Sequence, residues 1–166
     1  MTIKYDEIER LLAIVPDHPA MNIFHLSDGH IELSKQLNDF AKNREYDYDL
    51  AIINEDFLNK CLSCGLKPHK LNINQSRYNR HSKIYDYIFI TLNLDMIVDK
   101  KLFFTKIYHI CKNASKVLIF LENGDHYELE TLLEERNFLA ANYIDISTEY
   151  RVYSLQKMHG WGSYDL

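Results

Sequence analysis

Apolar residues along the chain follow two rhythms in turn, helical spacing and short continuous runs, and their order predicts an α/β protein. Ile8, Leu11, Leu12 and Val15 share one face of a helix over Tyr5 to Val15, which the "PDHP" segment stops. The run Met21 to Leu26 predicts the first strand. Ser27 or Asp28 can then cap a helix whose Ile31, Leu33, Leu37, Phe40 and Ala41 form an apolar stripe ending near Asn43. "LAIIN", Leu50 to Asn54, predicts a buried second strand, and a short helix through Phe57, Leu58, Cys61 and Leu62 ends at Gly65.

The alternation continues with "KLNIN", Lys70 to Asn74, a third strand, and "YDYIFITL", Tyr85 to Leu92, whose unbroken apolar character predicts burial on both faces. A helix over Leu102 to Cys111 leads to the strand "KVLIFL", Lys116 to Leu121, and Asp125 with Glu128 offers a capping-box start for the helix after it. "NYIDIS" and "YRVYSLQKM" flank Thr148 and Glu149 and predict an antiparallel hairpin. These elements predict a doubly wound, three-layer, mostly parallel sheet closed by that hairpin. With no repeat or linker, residues 1–166 read as one domain: residues 1–20 an N-terminal helix and linker, 21–158 the α/β core, and 159–166 a tail whose Trp161 is expected to dock as an aromatic plug.

Composition narrows the class. No apolar run approaches the roughly 20 residues that span a bilayer, and the N-terminus carries acids where a signal peptide carries bases, so a cytoplasmic protein is expected. Cys61 and Cys64 form one C-x-x-C to which His69 alone could add a third ligand, one short of a structural zinc set. The net charge is −5, yet no acid lies from Phe57 to Tyr85, where Lys60, Lys67, Lys70, Arg77, Arg80 and Lys83 supply six bases. Such a run reads as a solvated face or as a contact for RNA or an acidic partner through Arg77, Arg80 and Lys83, with Tyr78 able either to stack on a base or to fill the core.

Ligands of such sheets sit beyond the carboxyl ends of the strands. The segments to inspect are Ser27 to His30, Asn54 to Asp56, Asn74 to Ser76, Thr91 to Asp95 and Glu122 to Asp125. "YDYIFITLNLDM", "NASKVLIFLENGD", "LLEERNF" and "YRVYSLQKMHGW", in this order, resemble the class I S-adenosylmethionine-dependent methyltransferases over Met21 to Met158. The resemblance implies a seven-stranded methyltransferase-like sheet with S-adenosylmethionine as cofactor. In "HLSDGHI", His25 stands at the family's acidic position, and Ser27, Gly29 and Ile31 stand at its three glycines, so one glycine remains. Glycine belongs there because a Cβ would occupy space next to the cofactor.

The resemblance further places Glu55 against the ribose hydroxyls, Asn74 or Gln75 against the adenine amine, and Thr91 to Asp95, "TLNLD", in the catalytic loop with Thr91 and Asn93 beside the cofactor. That loop lacks the Asn-Pro-Pro-aromatic signature of amino-group methylation, which leaves the acceptor open. Methyl transfer from a sulfonium is an in-line displacement that mainly needs orientation. Asp95 or a nearby histidine is the candidate base for an acceptor that holds a proton, and Asp95 can equally be a loop acid or helix cap. Two functions compete, a small methyltransferase or a methyltransferase-like assembly module that no longer holds the cofactor tightly. A third reading, a receiver or flavodoxin-like domain, is opposed by the closing hairpin and by the lack of an acid pair after the first strand.

Overall fold

The computed structural model describes residues 1–158, so the tail and Trp161 lie outside the described residues. Seven strands form one sheet: β1 (Asn22–Ser27), β2 (Asp47–Ile52), β3 (His69–Lys70), β4 (Tyr85–Ile90), β5 (Cys111–Glu122), β6 (Phe138–Ile144) and β7 (Tyr150–Lys157). Their order is β3-β2-β1-β4-β5-β7-β6. Neighbours pair in parallel except at β7, which runs antiparallel to both β5 and β6. The hairpin predicted around Thr148 and Glu149 is therefore present, with β7 inserted inside the sheet and β6 at its edge. The connections turn one way from β1 to β2 and β3 and the other way from β4, so β1 and β4 flank the topological switch point.

Strand alternation sorts the core into two layers. On one face α1 (Tyr5–Ala13) and α2 (Ile31–Asn43) place Ile8, Leu11, Leu12, Leu33 and Leu37 against Ile23, Phe89, Leu118, Phe120 and Val152. On the other, α4 (Lys100–Ile110) and α5 (Tyr127–Glu135) place Phe103, Phe104, Ile107 and Leu133 against Phe24, Leu26, Ile88, Ile90, Val117 and Ile119. The smaller cluster under α3 (Glu55–Ser63) joins Phe57 and Cys61 to Leu50, Ile52 and Leu66. Burial at roughly 25 cal/mol per Å² of apolar surface makes this two-sided packing the main stabilising contribution.

Several boundaries differ from expectation for local polar reasons. β3 ends at Lys70 rather than Asn74, because the Asn72 and Gln75 side chains accept the Asn74 and Asn72 amides and turn the backbone out of the ladder. No helix then crosses to β4; residues 71–84 form an irregular connection that buries Tyr78 against Phe103. β5 starts at Cys111, with Ala114 left-handed (φ 64°) where the register shifts. Neither Ser27 nor Asp28 caps α2, because Ser27 Oγ turns back onto Gly29 and a left-handed His30 (φ 62°) occupies the cap position. At α5 the expected capping box is replaced by His126 at the cap, while Asp125 accepts the Tyr127 amide.

Candidate active site

A cleft of about 910 Å³ opens beyond the carboxyl ends of β1, β4 and β5. The β1–α2 turn contributes Asp28 and His30, the β4 exit contributes Thr91, Asn93 and Asp95, and the β5–α5 turn contributes Glu122, Asp125 and Glu128. This is the mouth of the topological switch point, where the backbone of both neighbouring strands ends and side chains can converge on a ligand. Lys100, at the start of α4, and the N-terminal Met1 share the lining with five carboxylates, so the charge of the cleft is predominantly negative.

Gly29 does not have a positive φ, and a Cβ built on it would meet no atom within 4 Å. The protein itself therefore imposes no need for glycine there, and Gly29 stands between two residues of the cleft lining, Asp28 and His30. Ser27 is fully buried, its hydroxyl held 2.7 Å from the Gly29 carbonyl oxygen, which fixes the turn. Asp28 is partly buried, and burial raises its carboxyl above the usual range. Burial likewise lowers the His30 imidazole, with the N-terminal ammonium adding to the effect and Asp28 opposing it.

At the end of β4, the Thr91 amide donates to the Leu26 carbonyl (3.1 Å), which ties that exit to β1. The Thr91 side chain is 5% exposed and lies 2.9 Å from His25 Nε2. Asn93 caps the 3-10 turn Leu94–Met96 by accepting the Asp95 amide, so its oxygen is already engaged. The Asp95 carboxylate is exposed, lines the cleft, and has no side-chain partner among the described residues.

The other sequence-predicted residues are not brought to this cleft. His25 is fully buried behind it, Nδ1 lying 2.7 Å from the Tyr48 hydroxyl, and burial lowers its pKa to about 3. Glu55 stands in the first turn of α3, where Asn54 supplies the cap, and its carboxylate accepts from Lys70 Nζ at 2.6 Å. That bond holds Glu55 below the usual carboxylate range. Gln75 spends its amide on Asn72 and on the Arg77 carbonyl, and Asn74 lines a separate hollow of about 130 Å³ with Met96, Val98 and Lys106.

Remaining candidates settle elsewhere. Tyr78 is 4% exposed and donates to the Ile73 carbonyl, leaving no ring face for a base, while Arg77, Arg80 and Lys83 are exposed along the β3–β4 connection. Cys61 is buried under α3 with its thiol pushed up by burial, Cys64 is exposed at the helix end, and His69 turns to Asp49 at 2.9 Å. Sequence reasoning did not single out Tyr48 or Ser34. Their signal is faint: a tyrosine in β2 and a serine one turn into α2, both common in packed cores.

No family model matches the sequence, and no curated protein does either. Solved structures do match. A TehB-like S-adenosylmethionine-dependent methyltransferase from Corynebacterium glutamicum superposes with TM-score 0.69 at 10% identity, covering 94% of this chain and 89% of that one. The CurJ carbon methyltransferase gives TM-score 0.73 at 12% identity over 92% of this chain and 52% of its own. Phosphoethanolamine N-methyltransferase 2 from Haemonchus contortus, in complex with S-adenosyl-L-methionine, gives 0.70 at 11% over 93% and 52%. The chain thus spans about half the length of the latter two structures. At these identities the likeness concerns backbone architecture, and together with the strand order it shows that this chain has the class I S-adenosylmethionine-dependent methyltransferase fold.

Proposed function

We propose that the protein is an S-adenosylmethionine-dependent methyltransferase whose reacting groups meet in the cleft at the β1–β4 switch point. The observation that carries this reading is the acid-lined cleft beyond the carboxyl ends of β1, β4 and β5, at the place where this fold leaves room for a ligand. The cofactor when bound supplies a methyl group already activated on a sulfonium. The chain's own contribution is position and charge. Ser27 holds the turn so that Gly29 leaves its flank clear, and the cleft carboxylates Asp28, Asp95, Glu122, Asp125 and Glu128 favour positive charge.

Asp95 is free to take a proton from an acceptor that still carries one. Glu55 can accept two ribose hydroxyls only when it releases Lys70, and Asn74 and Gln75 lie outside the cleft lining. Motif departures at Ser27 and Ile31 and the Glu55–Lys70 ion pair support weaker cofactor binding than a full glycine loop would provide. Calorimetric titration with S-adenosylmethionine and S-adenosylhomocysteine tests the reading. Saturable binding that Gly29→Val weakens by at least tenfold, with the melting temperature unchanged, is the expected result. Absence of heat at millimolar ligand removes the enzyme and leaves the assembly module.

A further inference from the structure

Behind the cleft, three polar side chains are linked in series through otherwise apolar packing, with a fourth, Ser34, beside one end. Ser34 of α2 is fully buried beside the Tyr48 phenol of β2, the phenol is 2.7 Å from His25 Nδ1, and His25 Nε2 is 2.9 Å from the Thr91 hydroxyl. Only Thr91, the last member, lines the cleft. Strand pairing needs none of them, since β1, β2 and β4 are held through their backbones.

The direction of the chain follows from counting protons. A neutral imidazole has one N–H donor and one acceptor nitrogen. Burial keeps His25 neutral, and the half-buried Tyr48 phenol, shifted upward, keeps its proton. Ser34 Oγ has no hydrogen bond of ordinary geometry, so the acceptor available to the phenol proton is His25 Nδ1. Were Nδ1 to carry the hydrogen instead, the phenol proton would face only Ser34 Oγ, which lies outside ordinary bonding geometry, and the short contact to Nδ1 would no longer serve it. The hydrogen therefore sits on Nε2 and is donated to Thr91 Oγ1, which leaves the threonine's own proton unspent.

We propose that His25 is a positioning residue: through its Nε2–H it turns the Thr91 hydroxyl so that Thr91 donates a hydrogen bond into the cleft, to an oxygen acceptor of the ligand bound there. This rests on the cleft being the ligand site. A carboxylate at position 25 would do the reverse, because an acceptor-only group draws the Thr91 proton inward and leaves only lone pairs facing the ligand. Whether position 25 holds a histidine or a carboxylate thus decides which kind of ligand atom Thr91 can hold. A hydroxyl donor on the floor adds to Lys100 in giving an anionic oxygen, such as the carboxylate of an amino-acid ligand, something to meet among the lining carboxylates.

Nitrogen-15 spectra of the labelled imidazoles, recorded on the free protein, read the tautomer directly. The Nε2–H form of His25 is expected in the wild type, and Tyr48→Phe is expected to release that preference. An Nδ1–H wild type overturns the proposal whether or not a ligand binds. Titration with S-adenosylhomocysteine supplies the second readout: Thr91→Val is expected to lose roughly tenfold in affinity, the scale of one hydrogen bond, with Thr91→Ser restoring it and Tyr48→Phe showing a smaller loss. Equal affinity of wild type and Thr91→Val also overturns it. A wild type that binds no S-adenosylhomocysteine removes the function proposed above, and the tautomer spectrum then decides this inference alone.

Discussion

The two halves of the sheet treat their polar loop residues in opposite ways. At the β2–β3 side, two side chains expected to meet a cofactor are engaged by neighbours, Glu55 by Lys70 and Gln75 by Asn72 and the Arg77 carbonyl, while Asn74 lines a separate hollow. At the β4–β5 side, Thr91 and Asp95 stand over a cleft with capacity to spare. The same division shows in packing, since the cluster under α4 and α5 is extensive whereas that under α3 joins five buried residues. An edge strand two residues long has little area to cover, so its loops close on themselves, while the strands at the sheet's middle end in depth and leave a cavity.

The sharpest way to break this contrast is to cut equivalent side chains from the two sides. Phe104→Ala, at a site with no exposure under α4, is expected to cost about 3–5 kcal/mol, whereas Phe57→Ala at the 8% exposed edge falls at or below the low end of that range. Urea unfolding measures both, and equal losses would mean that the edge is packed as firmly as the middle.

A difference next in size separates two histidines by the sign of their pH effect. The His25 pKa of about 3 lies below its unfolded value of 6.5, so between these values the unfolded chain holds a proton that the native protein lacks. Stability accordingly rises with pH across that window, by on the order of 1 kcal/mol per pH unit at most. His69 is shifted upward by its bond to Asp49; its contribution is present below pH 6.5 and is lost as pH rises through the native pKa. Its half-exposed side chain makes that effect small. In a pH series of melting curves, His25→Gln should flatten the acid limb and His69→Gln should leave it intact.

Smaller effects test the edge itself. Lys70→Ala frees the Glu55 carboxylate and is expected to tighten S-adenosylhomocysteine binding a fewfold, while Glu55→Ala weakens it; if neither variant moves the calorimetric affinity, the β2 side takes no part in binding. Arg77→Glu combined with Arg80→Glu should advance elution from heparin at low salt and leave the melting temperature within about a degree, as expected of exposed charges. Unchanged elution across a salt series would leave Arg77, Arg80 and Lys83 as a solvated face.

Much of the fold was legible because its signals are local. The runs through Phe24, Ile88 and Ile119 announce buried strands, and the stripes through Leu37 and Ile107 announce the helices laid over them. Where side chains compete with backbone bonding the reading slips by several residues: Asn72 and Gln75 cut β3 short, and Ser27 closes on Gly29 instead of capping α2. The site was legible as a set of loops. Thr91, Asn93 and Asp95 do face one cleft, whereas His25 lies behind it and Glu55, Asn74 and Gln75 lie off to the side. Nothing near Glu55 in sequence announces that Lys70, 15 residues on, will take its carboxylate.

The amino-acid order by itself thus determined the succession of strands and helices, the two-faced burial of the central strands, and the strand exits to inspect. These depend on the spacing of apolar residues within a few turns of chain. Only the tertiary structure decided which polar groups are spent and which are free. His25 meets Thr91 across 66 residues and Tyr48 across 23, and these partners together determine where one threonine proton points. Apolar burial depends on how much surface is covered, whichever residues cover it, but a hydrogen bond needs a particular atom at a particular distance, and folding brings that atom from elsewhere in the chain.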